Sequence, residues 1–406
     1  MKQKIELLAP AGDLTKLRAA VDFGADAVYM AGKAFGMRTS CANFSMDSLA
    51  EGVRYAHGKG AKVYITCNIV PVPEEMEQMA EFAKQAAALG VDAFIVSDLG
   101  AFRVIQRAAP GTPLHISTQA GVTNHETATF LYELGAQRVI LARELSLKQI
   151  QIIREKTPPQ LELETFVHGS MCLSVSGRCV ISDYLTGRGA NHGDCAQPCR
   201  WKYRLVEEKR PGEYLPVVEE DGFTYLMNSR DLCMLTHLPE LAETGVVSFK
   251  IEGRAKSAYY AAAISNVYRF ALDQLEKKTG APLPAWALEE LDKVGHRPYS
   301  TGFFFGGTPG QETVRGGTVQ SWEVCGICTG WKDGWQQVSQ RNRFFDGETL
   351  EALEPGGGKA PVSVTVNGLR NQDFEPISAA PHAAMTAYFP LSTPLAEGTY
   401  LRRKIE

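Results

Sequence analysis

Four stretches of the chain share one hydrophobic pattern. GADAVYMAG (24–32), GVDAFIVSD (90–98), GAQRVILAR (135–143) and GVVSFKIEG (245–253) each open on a glycine, continue as a short apolar run and close on polar or small residues. Each follows a stretch with apolar residues at helical spacing: LTKLRAAVDF, EEMEQMAEFAKQAAAL, HETATFLYEL and MLTHLPELAET. The glycine stands where a helix C-terminus takes a left-handed residue. An apolar run without alternation reads as a strand buried on both faces. IELLAPAG, KVYITCNI, LHISTQAG and LELETFVHG fill further strand positions, and YLMNS (225–229) is another candidate. About eight strand–helix units predict a parallel sheet with right-handed crossovers, closed as a (β/α)8 barrel in preference to an open doubly wound sheet.

Two segments break this alternation. Residues 171–223 form a long excursion after LELETFVHG, and a loop of that length in a compact domain is usually functional. After the helical pattern SAYYAAAISNVYRFALDQLEKK, the chain from about 321 shows short alternating runs separated by DG, NG and PGGG. That pattern predicts a small antiparallel β-barrel domain. The expected organisation is a TIM-like barrel at 1–305, a linker at 306–320 and the β domain at 321–406.

Composition narrows the class of protein. With 44% hydrophobic and 22% charged residues in 406, disordered and fibrous readings are excluded. The net charge of −4 leaves nucleic-acid binding to a local patch. MKQKIELLAPAGD has no long apolar run, and no stretch approaches the ~18 apolar residues of a membrane helix. The expectation is a cytoplasmic protein with no membrane association, in which nine cysteines signal metal or catalysis rather than cross-links.

In a parallel barrel the functional groups sit at the C-terminal strand ends. Those ends offer Arg38, Asp98, Gln119, Arg143, Glu144, His168, Asn228, Lys250, Glu252 and Arg254 as candidate ligands. Asp98 and Glu144 could equally be helix caps. Arg38, Arg143, Lys250 and Arg254 at one mouth would suit a small anion carrying carboxylates or phosphates. His168 ends an apolar strand four residues before Cys172 and is the candidate catalytic residue.

The excursion reads MCLSVSGRCVISDYLTGRGANHGDCAQPCRW, with Cys172, Cys179, Cys195 and Cys199. Four thiols in one excursion could converge on a single metal centre. The Cys195/Cys199 spacing is compatible with zinc. The wider Cys172/Cys179 spacing suits a larger iron–sulfur cluster, and both metals remain open. Cys233 is a reserve ligand, while Cys325-Gly-Ile-Cys328 is a bare CxxC without thioredoxin context. Arg178, Arg200 and Lys202 make the excursion locally basic, and Trp201 lies among them. Cations beside aromatic rings suit a splayed-out RNA base.

The run ETFVHGSMC followed by SGRCVIS resembles the signature of the collagenase-like proteins of peptidase family U32. ELLAPAGD, GADAVYMAG, ARELSL, MNSRDL, SFKIEGR and HRPYSTGF extend the resemblance over about 1–305. There is no HExxH or GxSxG. GDCAQPCRWKY, RPGEY and MNSRDLC in this order are similar to the branch that makes 5-hydroxyuridine at the tRNA wobble position. The resemblance implies an RNA hydroxylase with a 4Fe–4S cluster on Cys172, Cys179, Cys195 and Cys199, prephenate as co-substrate, tRNA as substrate and a homologous partner subunit. A U32 peptidase, a hydroxylase of another RNA such as ribosomal RNA, and a non-catalytic RNA-binding protein are the competing expectations.

Overall fold

The computed structural model describes residues 4–36, 43–171, 181–188, 194–196, 198, 219–220, 223–224, 230–306 and 319–405. They form two compact units: Met1–Arg18, Asp26–Lys256 and His296–Thr318 in the first, and Ala19–Ala25, Ser257–Gly295 and Val319–Glu406 in the second.

The first unit is a closed barrel of eight parallel strands. β1 (Glu6–Pro10), β2 (Ala27–Met30), β3 (Lys62–Cys67), β4 (Ala93–Val96), β5 (Leu114–Ile116), β6 (Arg138–Ile140) and β7 (Glu162–Gly169) pair in sequence order. β8 (Asp231–Cys233) runs antiparallel to β7 outside the barrel. β9 (Ser248–Ile251) closes it, with Ser248 opposite Glu6 on β1 and Glu164 on β7. β2, β4 and β9 are buried at every position. That two-sided burial is why their sequences run apolar without alternation. The glycines heading the four repeated runs sit at φ +101, +86, +106 and +82. Each lets a helix end and turn into the next strand. Helices α1 (Leu14–Asp22), α2 (Met46–Gly58), α3 (Met76–Ala88), α4 (Leu99–Ala108), α5 (His125–Glu133) and α6 (Leu147–Lys156) make the crossovers up to β7. From β7 to β9 the chain instead passes through the 171–223 excursion, β8 and the short helix α8 (Leu238–Glu243), with α7 (Ile181–Thr186) inside the excursion. The candidate strand at 225–229 lies outside the described residues. A two-residue strand, β10 (Tyr299–Ser300), pairs with β8.

The second unit is an antiparallel half-barrel. Its strands are β11 (Trp322–Lys332), β12 (Trp335–Gln340), β13 (Phe344–Phe345), β14 (Thr349–Leu353), β15 (Val362–Thr365), β16 (Ala379–Ala380), β17 (Thr386–Pro390) and β18 (Tyr400–Lys404). Six of them form one sheet in the order β15-β14-β18-β11-β12-β17. Its core holds Val338, Phe344, Leu350, Phe389 and Leu401 together with Cys325 and Cys328. Helix α9 (Ala258–Glu276), capped by the Ser257 side chain, lies within the stretch read as barrel from sequence yet belongs to this unit. Asn266 fixes it there: Nδ2 donates to the Lys359 carbonyl at 2.8 Å, and Oδ1 accepts from the Lys359 N–H at 3.0 Å. No helix among the described residues is long and apolar enough to cross a membrane.

Candidate functional site

The barrel interior is polar on one side. Arg138, at the start of β6, donates to Glu6 at 2.6 Å, to Glu162 at 2.7 Å and to Glu164 at 2.9 Å. Glu6 also accepts from the Tyr64 hydroxyl at 2.6 Å and from Ser248 Oγ at 2.9 Å. Burial alone would raise the Glu6 carboxyl, but Arg138 and these donors hold it below its ordinary value. Burial and the neighbouring glutamates push the Tyr64 phenol up, so it stays a hydrogen-bond donor. His115 stacks edge-on against Tyr64 at 4.9 Å, and burial, with Arg138 and Lys250, keeps its imidazole neutral. Sequence reasoning missed Glu6, Tyr64, Arg138 and Glu164. Their only signal was ionisable residues inside otherwise apolar strand runs.

Above this layer lies the strand-end region read as the mouth. Lys250 is inside the barrel, 3.0 Å from Glu164 and 4.4 Å above the Tyr29 ring. The Tyr29 hydroxyl donates to Glu252 at 3.2 Å. Arg254 is buried and donates to Thr66 Oγ1 at 2.9 Å. Arg143 is half-buried, lies 4.1 Å over the Phe166 ring and donates to the Ser170 carbonyl at 2.8 Å. It therefore braces the backbone two residues before Cys172. Asp98 caps α4 by accepting from the Ala101 N–H at 2.9 Å. Gln119 lies half-buried in the turn after β5, and Glu144 is half-buried after β6.

His168 ends β7 and is 1% exposed. Burial drives its pKa down to about 3, with the Asp231 carboxylate only partly opposing this. Its ring lies 5.3 Å from Tyr299, which stacks on His296 at 4.3 Å. On β8, whose other neighbour is the strand carrying Tyr299, Cys233 pairs with His168 in register. Asp231 holds this arrangement by a buried 2.8 Å ion pair to Arg297 and by accepting from the Arg297 N–H at 3.1 Å. Gly169 has φ +107, and a Cβ there would lie 2.3 Å from the Glu252 carbonyl oxygen, so the chain turns into the excursion only with glycine. The structure thus gathers His168, Glu252, Cys233, Tyr299 and His296 at one end of the barrel.

The described thiols fall into two groups. Cys195 and Cys233 are half-exposed. Cys67, Cys325 and Cys328 are buried, and burial pushes each thiol up to about 12. Cys195 and Cys233 are therefore the described thiols with access to solvent. Cys325 and Cys328 are core residues. Among the described residues no three His, Cys, Asp or Glu side chains form a metal-binding group. Cys172, Cys179 and Cys199 lie outside the described residues, as do Arg38, Asn228, Arg178, Arg200, Trp201 and Lys202.

The profile of "Peptidase family U32" matches residues 12–314, and that of its C-terminal domain matches 320–402. The tRNA hydroxylation protein P1 of Bacillus subtilis is 36% identical over 408 residues, spanning 99% of this chain and 95% of that protein. An uncharacterized protease of Methanocaldococcus jannaschii is 46% identical over 308 residues, 75% of this chain and 74% of that protein. The 23S rRNA 5-hydroxycytidine synthase of Escherichia coli is 39% identical over 277 residues, 68% of this chain and 40% of that protein.

Proposed function

This chain belongs to peptidase family U32, and from that premise we propose that it is an RNA-modifying enzyme that hydroxylates a pyrimidine of tRNA. The observation that carries this is the similarity, over 99% of the chain, to a protein named for tRNA hydroxylation. The likeness of 68% of the chain to an rRNA 5-hydroxycytidine synthase supports hydroxylation as the chemistry. The finer reading is conversion of the wobble uridine to 5-hydroxyuridine, with prephenate as co-substrate.

A 4Fe–4S cluster on Cys172, Cys179, Cys195 and Cys199 would supply one-electron redox chemistry when bound. The half-exposed Cys195 fits that donor set. Arg143 offers a half-buried guanidinium to a dicarboxylate. His168, neutral at physiological pH, can accept or donate a hydrogen bond at the strand end without bringing a charge. Arg178, Arg200, Trp201 and Lys202 would meet the RNA on the excursion.

The test is mass spectrometry of tRNA nucleosides from cells with and without the gene, alongside anoxic purification of the protein. Loss of 5-hydroxyuridine derivatives and a brown, iron-containing protein are expected. An unchanged nucleoside profile would overturn the function, and colourless, zinc-loaded protein would overturn the cluster. A peptidase reading has the family name and the M. jannaschii relative's name in its favour. It requires cleavage that survives iron chelation and disappears in Cys172→Ala. The enclosure of His168 at 1% exposure counts against its serving as a base for a polypeptide substrate.

A further inference from the structure

One face of the second unit's sheet carries an aromatic surface that the barrel chemistry does not use. Trp335 pairs with Pro390, and Gln337 with Tyr388, so Trp335 and Tyr388 are diagonal neighbours on one face. Lys332 stands opposite Trp335 in the adjoining ladder and shares that face. Phe374, from the loop between β15 and β16, packs against Trp335 and Tyr388 with ring centroids 5.0 Å from each. The Arg370 guanidinium lies 5.1 Å over the Trp335 ring.

The loop that presents Phe374 is firmly built. Asn371 Oδ1 accepts from the N–H groups of Asp373 at 3.0 Å and Glu375 at 2.9 Å, and Arg370 Nη1 donates to the Phe374 carbonyl at 2.6 Å. Phe374 itself sits at φ +63 and is 43% exposed. Folding favours neither feature, since glycine or asparagine takes a left-handed position with less strain and no apolar exposure. An outlier of this kind points to use at the surface.

We propose that this face is a stacking platform for an unpaired RNA base, with Lys332 and Arg370 meeting the flanking phosphates. The inference rests on RNA being the substrate class. An exposed ring such as Phe374, backed by the half-buried Trp335 and Tyr388, accepts the face of any base, and cations beside it track the backbone. Neither Lys332 nor Arg370 has a carboxylate partner among the described residues, whereas Arg402 and Arg403 of the same unit each pair with two glutamates. The nearby acids do not close the site. Glu375 accepts from Asn371 Nδ2 at 3.1 Å, and Asp333 and Asp373 lie in the flanking turns.

The test is fluorescence anisotropy of the full chain with labelled unmodified tRNA and with a short oligouridylate. Phe374→Gly is expected to weaken both by about tenfold, the loss of one stacked base, with little change in Tm. Trp335→Thr is expected to do the same and to reduce the quenching of tryptophan fluorescence by oligouridylate. Should both variants fail to fold, Lys332→Ala on the exposed hairpin end carries the test, with about threefold weaker binding and a shallower salt dependence. Folded variants that bind as the wild type does would overturn the platform, leave the face to a protein partner and leave the RNA reading standing. A wild-type chain that binds neither RNA would overturn both.

Discussion

The barrel unit and the C-terminal unit each bury an arginine among glutamates, and the surroundings give the two burials different consequences. Arg138 joins Glu6, Glu162 and Glu164 across strands β1, β6 and β7, and Lys250 continues the chain of charge along the interior toward the strand ends. Arg402 pairs with Glu290 and Glu351, and Lys293 bridges the same two glutamates at 3.0 and 2.8 Å. That second cluster ties the last strand to the helical turn Glu290–Lys293, and Arg402 also donates to the Tyr259 hydroxyl of α9 at 2.7 Å. Among the described thiols, the half-exposed ones, Cys195 and Cys233, are both in the first unit, whose Cys67 is buried, and Cys325 and Cys328 of the second are buried as well. A buried ion cluster is therefore architecture in both units. The half-exposed Cys195 and Cys233, the latter paired with His168 at the end of β7, are what set the first apart.

The most direct way to break this contrast is at the thiols. Under the cluster proposal, Cys195→Ser is expected to strip most of the iron and lower tRNA hydroxylation at least a hundredfold. Cys325→Ser and Cys328→Ser should keep iron and activity, at a cost of about 1–3 kcal/mol for a buried hydroxyl. Iron content per chain and nucleoside mass spectra read both. Iron retained in Cys195→Ser would remove that residue from the donor set.

Next in size is the barrel's ion network. Arg138→Met leaves Glu6 and Glu164 buried without their cation, which should cost about 3–5 kcal/mol. Urea denaturation followed by tryptophan and tyrosine signals measures it. A loss under about 1 kcal/mol would mean that the carboxylates find water or protons instead.

How much of this was legible in the sequence follows from range. The barrel strands could be read because two-sided burial writes continuous apolar runs, and the glycines at φ > 0 mark each helix end locally. The grouping of Cys172, Cys179, Cys195 and Cys199 is likewise visible within one segment. The Glu6–Arg138 contact joins residues 132 apart, and no periodicity within either strand signals it. Lys250 shows the same limit. Its sequence position suggests the mouth, but the register of β9 against β7 brings its ammonium to Glu164. β8 escaped notice because three residues pairing antiparallel leave no pattern.

Acid should separate the units by a smaller margin. A histidine whose folded pKa lies below its unfolded value takes up protons on unfolding, so stability falls as pH drops below about 6.5 and keeps falling toward the folded value. His168, depressed to about 3 by burial, should cost the barrel about 2 kcal/mol at pH 5 relative to neutral pH. His115 acts in the same direction. Glu6 adds its loss only below its ordinary value of 4.5, because its folded pKa is lowered. In the second unit the one histidine, His382, is exposed. Thermal scans at pH 7.5 and 5, with His168→Gln as control, should show acid lability that this substitution reduces.

The smallest effect concerns Asp98, which the sequence allowed as either a ligand or a cap. Its Oδ1 accepts the Ala101 N–H at 2.9 Å, satisfying one of the open donors in the first turn of α4. Asp98→Ala should therefore cost about 1 kcal/mol of stability, whereas Asp98→Asn or Asp98→Ser, which also cap well, should cost a few tenths. A carboxylate that binds substrate would behave differently. Asp98→Asn would then raise the KM for co-substrate or RNA while Tm stayed near the wild-type value. Steady-state kinetics of Asp98→Asn beside its melting curve distinguishes the two roles, and the cap requires KM to stay within about twofold of wild type.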